Sequence, residues 1–286
     1  MEEKNRIVGG TLYLVGTPIG NLQDLSDRAK KALSEVDFIA AEDTRNSAKL
    51  LSVIGVKKEL VSYHEHNKKS SGERIVARLL GGESCALITD AGMPAISDPG
   101  EDIVRLCADS GVTVTAIPGP CAAVTALALS GLATSRFAFE GFLSANRSER
   151  IKRLEAVKGE ERTMIFYEAP HKLKKTLSDM VECFGGERKI SLCRELTKLN
   201  EEIIRTTIRE AVELYSEKEP RGEYVLIVEG ASGNSVSEES CELLSLSPEE
   251  HVNSYENSGL SRMDAIKKAA RDRGMSKSEL YKILNS

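Results

Sequence analysis

Short apolar runs alternate with stretches whose apolar residues recur at helical spacing, and this rhythm constrains the fold more than any other feature. In the first half the runs are Leu12–Val15, Phe38–Ala41, Leu60–Ser62, Ala86–Thr89 and Val112–Ile117. Continuous apolar runs of this length read as strands buried on both faces. Between them, Ser26–Val36 opens on a good N-cap and sets Ala29, Leu33 and Val36 on one face. Asp43–Ile54, Gly72–Leu80 and Gly100–Ser110 follow the same pattern. Strand–helix alternation implies right-handed βαβ units and hence a doubly wound parallel sheet.

A second group of elements begins near Phe137, with strands expected at Phe137–Phe142, Thr163–Tyr167, Lys189–Cys193 and Tyr224–Val228. The last is the most continuously apolar and so is expected at the centre of its sheet. Helices are expected at Arg147–Val157, Pro170–Phe184 and Ile208–Glu217. A length of 286 residues accommodates two α/β domains at roughly 100–200 residues each. The boundaries follow: residues 1–10 a tail, 11–130 the first domain, Gly131–Arg136 a linker, and 137–231 the second domain. Residues 232–258 read as an acidic Ser/Glu linker and 259–286 as a basic helical extension, with helices at Arg262–Arg273 and Ser276–Leu284.

The net charge of −5 argues against a surface coated in cations, but the charge is uneven. Residues 259–286 hold seven basic residues against three acids, a net of +4, while 232–258 hold six glutamates and no Lys or Arg. Any nucleic-acid contact is therefore local, because phosphate neutralisation needs cations. Arg147, Arg150, Lys152 and Arg153, the Lys172–Lys175 group and the basic extension are the candidates. Six cysteines form no CxxC pair, the charged start MEEKNRIVGG has no signal-peptide core, and no apolar run reaches the length of a membrane span. The expectation is a reduced, cytoplasmic enzyme away from membranes.

In an open α/β sheet, ligands bind beyond the carboxyl ends of the strands, so the turns there are the functional candidates. Four stand out. Gly16-Thr17-Pro18-Ile19-Gly20-Asn21 is neither GxGxxG nor a P-loop, so it does not point to a dinucleotide or nucleoside triphosphate. Thr89-Asp90-Ala91-Gly92-Met93-Pro94-Ala95-Ile96-Ser97-Asp98-Pro99-Gly100 is too long and too rich in small residues for a plain connection. Ile117-Pro118-Gly119-Pro120-Cys121-Ala122 leads into the small-residue helix Ala122–Leu129, and Cys121 has no nearby histidine to activate it as a nucleophile. Tyr167-Glu168-Ala169-Pro170-His171-Lys172 brings an aromatic ring, a carboxylate, an imidazole and a cation to one strand tip. Further polar clusters follow other strands: Glu42-Asp43-Thr44-Arg45, Ser62-Tyr63-His64-Glu65-His66-Asn67 and Arg194-Glu195-Leu196-Thr197-Lys198. His-Glu-His alone does not make a zinc site, and no metal is expected.

Taken in order, GTPIGNLQDLSDRAKKAL, IAAEDTRNSAKLL, SYHEHN, TDAGMPAISDPG, IPGPCAA, FEGFL, MIFYEAPHKL, RELTK and GEYVLIVEG resemble the tetrapyrrole-methylase superfamily. They are most similar to its ribosomal branch, which methylates a cytidine ribose 2′-hydroxyl of 16S rRNA. Met93 stands where threonine is usual in that branch, Cys121 where serine is common, and Ala169 and Lys172 replace a usual serine and arginine. The resemblance implies a two-domain tetrapyrrole-methylase-like α/β fold, each domain an open sheet flanked by helices, with a small C-terminal helical extension. It also implies S-adenosylmethionine bound in a cleft between the domains, 16S rRNA of the small ribosomal subunit as partner, and a homodimer. By the same resemblance, donor contacts fall to Pro18, Asp90, Ala91, Gly92, Met93, Ile96, Cys121, Ala122, Tyr167 and Leu196. Substrate contacts fall to Arg45, Glu65, His66, Asn67 and Lys172.

In-line attack on a sulfonium methyl needs chiefly alignment, but a ribose hydroxyl is a weak acid and a positioned base helps. Glu42, Asp43 and His64 are the candidates, with none preferred. Two other readings stand beside this one: a methylase of a small molecule such as a corrin precursor, and a non-catalytic RNA-binding assembly factor. Replacement of the small-molecule enzymes' first turn by TPIGNL disfavours the former, and small residues in all the cleft turns disfavour the latter.

Overall fold

A computed structural model of the chain describes residues 6–231, 243, 246–273 and 275–284. The chain divides into two compact units, one ending at Glu229 and the other beginning at Gly230. The first unit contains two five-stranded sheets, built in succession along the chain.

In the first sheet β1 (Thr11–Val15), β2 (Phe38–Ala41), β3 (Glu59–Ser62), β4 (Cys85–Ile88) and β5 (Thr113–Ile117) lie in the order β3-β2-β4-β1-β5, all parallel. Helices α1 (Asp27–Glu35), α2 (Thr44–Val53), α3 (Lys68–Leu80) and α4 (Gly100–Asp109) connect them. Ser26 caps α1 by accepting the Ala29 N–H at 3.1 Å, and Ala29, Ala32 and Leu33 form the buried stripe. Helix α3 begins a turn before the expected Gly72, at Lys68. One core lies on each face, around Ile75, Leu79 and Ile103 on one side and Leu25, Leu33 and Leu51 on the other. From β1 the chain crosses toward β2, and from β4 it crosses the opposite way toward β5. The carboxyl ends of β1 and β4 thus form a topological switch point, where open α/β sheets bind ligands.

The second sheet has the order β6-β7-β10-β8-β9, where β6 (Phe137–Phe142) and β7 (Thr163–Glu168) are parallel. The other pairs, formed by β8 (Lys189–Arg194), β9 (Glu202–Thr207) and β10 (Tyr224–Val228), are antiparallel. As its apolar run implies, β10 is central and every residue in it is buried. Strand β9 is absent from the sequence expectations; it is an edge strand whose half-buried EIIRTT carries too many polar residues to read as a core run. Helices α6 (Arg147–Val157), α7 (Pro170–Phe184) and α8 (Ile208–Glu217) cover one face. The other face is covered by α5 (Ala122–Leu129), through Ala123, Ala126 and Leu127 against Ile165, Val225 and Ile227. Helix α5 follows the last strand of the first sheet yet packs on the second, and this crossover joins the two sheets.

The basic cluster on α6 is not a free phosphate-binding face. Arg150 is 3% exposed, donates to Asp179 Oδ2 at 2.7 Å, and reaches the carbonyls of Ser144 and Ala145. Arg147 pairs with Asp179 and Glu182, and Arg153 with Glu140. The first turn of α6 carries Arg147 and Arg150, which together satisfy the buried Asp179 carboxylate on α7.

The second unit contains α9 (Pro248–Asn257), α10 (Arg262–Asp272) and α11 (Lys277–Leu284). Over Pro248–Asn257 the linker reading is corrected: Ser247 and Glu250 form a reciprocal capping box with Pro248 in the first turn, strong helix-start chemistry that the acidic composition obscured. The rest of that stretch lies outside the described residues, apart from 243, 246, 247 and Ser258. Val252 and Tyr255 of α9 pack with Ala265, Ile266, Ala269 and Leu280 into a small core of their own. Tyr255 donates to Asp272 Oδ2 at 2.6 Å, and Arg273 Nε donates to Nδ1 of buried His251 at 3.0 Å.

Arg150→Ala strands Asp179 with only the partly exposed Arg147 as partner. Urea denaturation is expected to show a loss toward the lower end of about 3–5 kcal/mol, the range for breaking a buried pair. Lys152→Ala, on the same helix, is expected to stay within about 0.5 kcal/mol.

Candidate active site

Three turns meet at the switch point. Thr17 and Gly92 exchange main-chain hydrogen bonds, Thr17 N–H to the Gly92 carbonyl at 2.9 Å and Gly92 N–H to the Thr17 carbonyl at 3.2 Å. The buried Thr17 hydroxyl donates to the Thr89 carbonyl at 3.1 Å. Gly16 lies so close to the third turn that an added Cβ would stand 2.6 Å from Gly119 Cα and 2.8 Å from Gly119 N. Only glycine fits on either side of that contact.

Beside these turns opens a cleft of about 630 Å³, within the roughly 300–1,000 Å³ typical of small-molecule sites. Its wall from the first half includes Glu42, Asp90, Ala91, Gly92, Met93, Ile96, Cys121 and Ala122. Its wall from the second includes Tyr167 and Leu196. Nine of the ten expected donor contacts are therefore together; the exception is Pro18, whose neighbour Ile19 lines the cleft instead. Sequence reasoning gave no role to Phe142, Lys198, Glu223, Tyr224 or Val225, which also line it. All five lie within motifs quoted above, but only the three-dimensional approach of β6, β8 and β10 distinguishes them there.

The three base candidates separate. Glu42 lines the cleft and accepts the Thr89 hydroxyl at 2.9 Å. Asp43 is outside the lining: it caps α2 by accepting Arg45 N–H at 2.8 Å and takes Arg45 Nε and Nη2 at 3.3 Å each. That Arg45 guanidinium, followed by the Arg45 N–H, holds the Asp43 carboxyl below its ordinary value and makes it a poorer base. It also occupies Arg45. His64 is likewise outside the lining, with its Nδ1 buried and without a hydrogen-bond partner among the described residues.

The His64–Asn67 loop is built for its own closure. Asn67 accepts the His64 N–H at 2.8 Å and donates to the Ser62 carbonyl at 3.1 Å, so its amide is occupied rather than presented to a substrate. Glu65 pairs with Lys68 at 2.8 Å, and the His66 ring meets His64 edge-on at 5.9 Å. The buried Tyr63 hydroxyl, pushed up to about 12 chiefly by burial, donates to the Pro99 carbonyl and ties this loop to the end of the long one. Lys172 is also turned inward: its ammonium lies 3.0 Å from both Glu168 Oε1 and the Leu143 carbonyl. Buried Glu168 further accepts the Ala169 N–H at 2.9 Å and the Thr176 hydroxyl at 2.5 Å, anchoring the start of α7.

Among the described residues, the non-glycine positions with positive φ are Ala95 (69°), Ser97 (62°), Glu195 (52°) and Thr197 (65°). All four fall in two loops that border the cleft. Asp98 holds the first loop by accepting the N–H groups of Ala95, Ile96 and Gly100. Lys198 holds the second, with its ammonium 2.8 Å from Glu195 and 2.9 Å from Glu223.

A cleft at a switch point, walled by small, apolar and charged residues from two sheets, has the build of a small-molecule site with the Glu42 carboxylate on its wall. Residues 11–212 match the family of tetrapyrrole (corrin/porphyrin) methylases, and the chain belongs to that family. It is thus a methyltransferase. Among its relatives is the ribosomal RNA small subunit methyltransferase I of Halalkalibacterium halodurans, 50% identical over 274 residues, covering 96% of this chain and 94% of the relative. The protein of the same name from Bacillus subtilis is 50% identical over 272 residues, covering 95% and 93%. In fold the chain is similar to a cobalt precorrin-4 methyltransferase, with a TM-score of 0.58 at 16% identity over 77% of this chain and 95% of that one.

Gly16→Ala forces the first and third turns apart. The expected loss is about 1–3 kcal/mol on the scale of overpacking, read by urea denaturation. Gly159→Ala, where nothing lies within 4 Å of the added carbon, is expected to change stability by under about 0.5 kcal/mol.

Proposed function

We propose that the chain transfers a methyl group from S-adenosylmethionine to the ribose 2′-hydroxyl of a decoding-centre cytidine in 16S rRNA of the small ribosomal subunit. The observation that carries this reading is the position of Glu42: of the three base candidates Glu42, Asp43 and His64, it is the one on the wall of the cleft, beside Asp90 and the small residues Ala91 and Gly92. The relatives' names supply the substrate class, at 42–50% identity across nearly the whole chain. A ribosomal substrate places the reaction in the cytoplasm.

The cleft suits the donor in size and chemistry. Asp90 at the end of β4 accepts Asn46 Nδ2 at 3.3 Å and retains acceptor capacity for ribose or amine hydrogens. Ala91, Gly92 and Ala122 leave main-chain groups within reach, and Ile96, Leu196 and Val225 offer apolar contact. When bound, S-adenosylmethionine supplies an already activated methyl. Glu42, oriented by the Thr89 hydroxyl, takes the proton from the ribose oxygen as it attacks.

The homodimer belongs to the same proposal. On edge strand β6 a register shift falls between Phe139 and Gly141, with Gly141 at φ 65°. The extra residue of such a bulge brings Phe142 onto the face of Phe137 and Phe139. Phe137, Phe139 and Phe142 are 42%, 36% and 59% exposed, an apolar edge that a second copy would cover.

Glu42→Gln is expected to lower single-turnover methyl transfer to small subunits by about 10²–10⁴-fold. Isothermal titration should show donor affinity little changed. Equal transfer rates would remove Glu42 from catalysis, and failure of the native chain to bind the donor would defeat the whole reading. Because α9, α10 and α11 share one core, a chain ending at residue 231 is the proper deletion. It should bind the donor normally and capture small subunits more weakly, as read by sedimentation.

A further inference from the structure

A second groove, of about 370 Å³, lies along β5 at the free edge of the first sheet. Its lining includes Arg6, Arg28 and Lys31, with Thr11, Thr113 and Thr115 between them. Among the described residues no Asp or Glu lines it, in a chain with 44 acidic residues against 39 basic ones. Among the described residues, no carboxylate lies within ion-pair distance of Arg6 or Arg28. Lys31 is already engaged, with Glu35 at 3.9 Å among its contacts, and is not one of the available cations. The arginines of α6, by contrast, are all engaged by acids.

The groove has a structural origin. Helix α5, which follows β5, packs on the second sheet, and Thr113, Thr115 and Ala116 are left exposed. The Tyr13 hydroxyl accepts the Val8 N–H at 2.8 Å and holds the segment that carries Arg6 along the groove's rim. The groove also points somewhere. It runs from Thr113 to Ile117, and the next turn delivers Cys121 and Ala122 to the wall of the candidate active site. At about 3.3 Å per residue, β5 spans roughly 16 Å, room for more than one phosphate of an extended strand.

We propose that this groove is a track for the RNA backbone flanking the target nucleotide, with Arg6 and Arg28 neutralising phosphates and the threonine hydroxyls donating to phosphate oxygens. The inference rests on the RNA reading above. Guanidinium groups and hydroxyls supply the usual positioning contacts to phosphate, and these carry no sequence information. The groove therefore contributes affinity and orientation, while selection of the nucleotide is left to the cleft.

The test is Arg6→Gln/Arg28→Gln in the full chain, binding a short oligocytidylate by fluorescence anisotropy across a salt series. Each single-strand phosphate contact contributes about 0.7 to the slope of log affinity against log salt, so losing two should flatten it by about 1.4. In methyl transfer to small subunits the variant should raise KM for the acceptor and leave kcat and donor affinity unchanged. An unchanged slope, or no binding of the oligonucleotide by the native chain, overturns the track. So does a change in oligomeric state on analytical ultracentrifugation, which would make the groove a contact between copies. If the native chain binds the oligonucleotide with the expected slope but transfers no methyl to small subunits, the assigned substrate fails and the groove stands.

Discussion

The paired main-chain hydrogen bonds between Thr17 and Gly92 hold the architecture of the cleft together. They fasten the turn after β1 to the long loop after β4 at the point where the sheet's connections diverge. The side-chain-free contact between Gly16 and Gly119 then draws in the turn after β5. Three loops that would otherwise splay apart become one surface, and α5 is launched from it onto the second sheet. The cleft exists because α5 crosses over: its Ala123, Ala126 and Leu127 belong to the first half by sequence and to the second by packing. Buried bonds of this kind are protected from competition with water, so the wall is rigid before any ligand arrives.

Legibility in the sequence followed burial. Fully buried strands such as Phe38–Ala41 and Tyr224–Val228 stand out as apolar runs, and β10 could even be placed at the sheet's centre. Strand β9 could not, because half its surface faces solvent and its composition follows. Helix α9 was hidden differently: acidic Ser/Glu composition outweighed Ser247-Pro248-Glu249-Glu250, although local capping chemistry was the better guide. At the cleft, strand-end reasoning found the loops because topology alone decides which rim carries them. It could not say which side chains in those loops turn outward. Asn67, Lys172 and Asp43 are polar residues at the correct rim, yet each is consumed by its own neighbourhood. Nothing in a string of letters separates a carboxylate that caps a helix from one that faces a cavity.

The same distinction governs the electrostatics. A chain with a net charge of −5 has few cations to spare, and α6 shows how they are spent. Asp179 sits between helices, and a buried carboxylate without partners is costly, so Arg150 and Arg147 are drawn in to satisfy it. Counting basic residues along a helix overstates its attraction for polyanions. The useful count is of cations with no acid in reach among the described residues, and by that measure Arg6 and Arg28 at the edge of the first sheet differ from the arginines of α6.

Strain in the cleft loops points the same way. Left-handed backbone at Ala95, Ser97, Glu195 and Thr197 is unfavourable by roughly 1–3 kcal/mol per residue, and sequences that need only a connection use glycine there. Here the conformation is imposed by Asp98 gathering three N–H groups and by Lys198 bridging Glu195 and Glu223. Both anchors sit on opposite walls of one cleft, so each loop is fixed independently of any contents. A loop already ordered loses little entropy when a ligand enters, and the energy stored in its backbone is offset once, during folding, rather than at every binding event. That division suits an enzyme whose chemistry depends on aligning two reactants, because alignment is lost first where walls can yield.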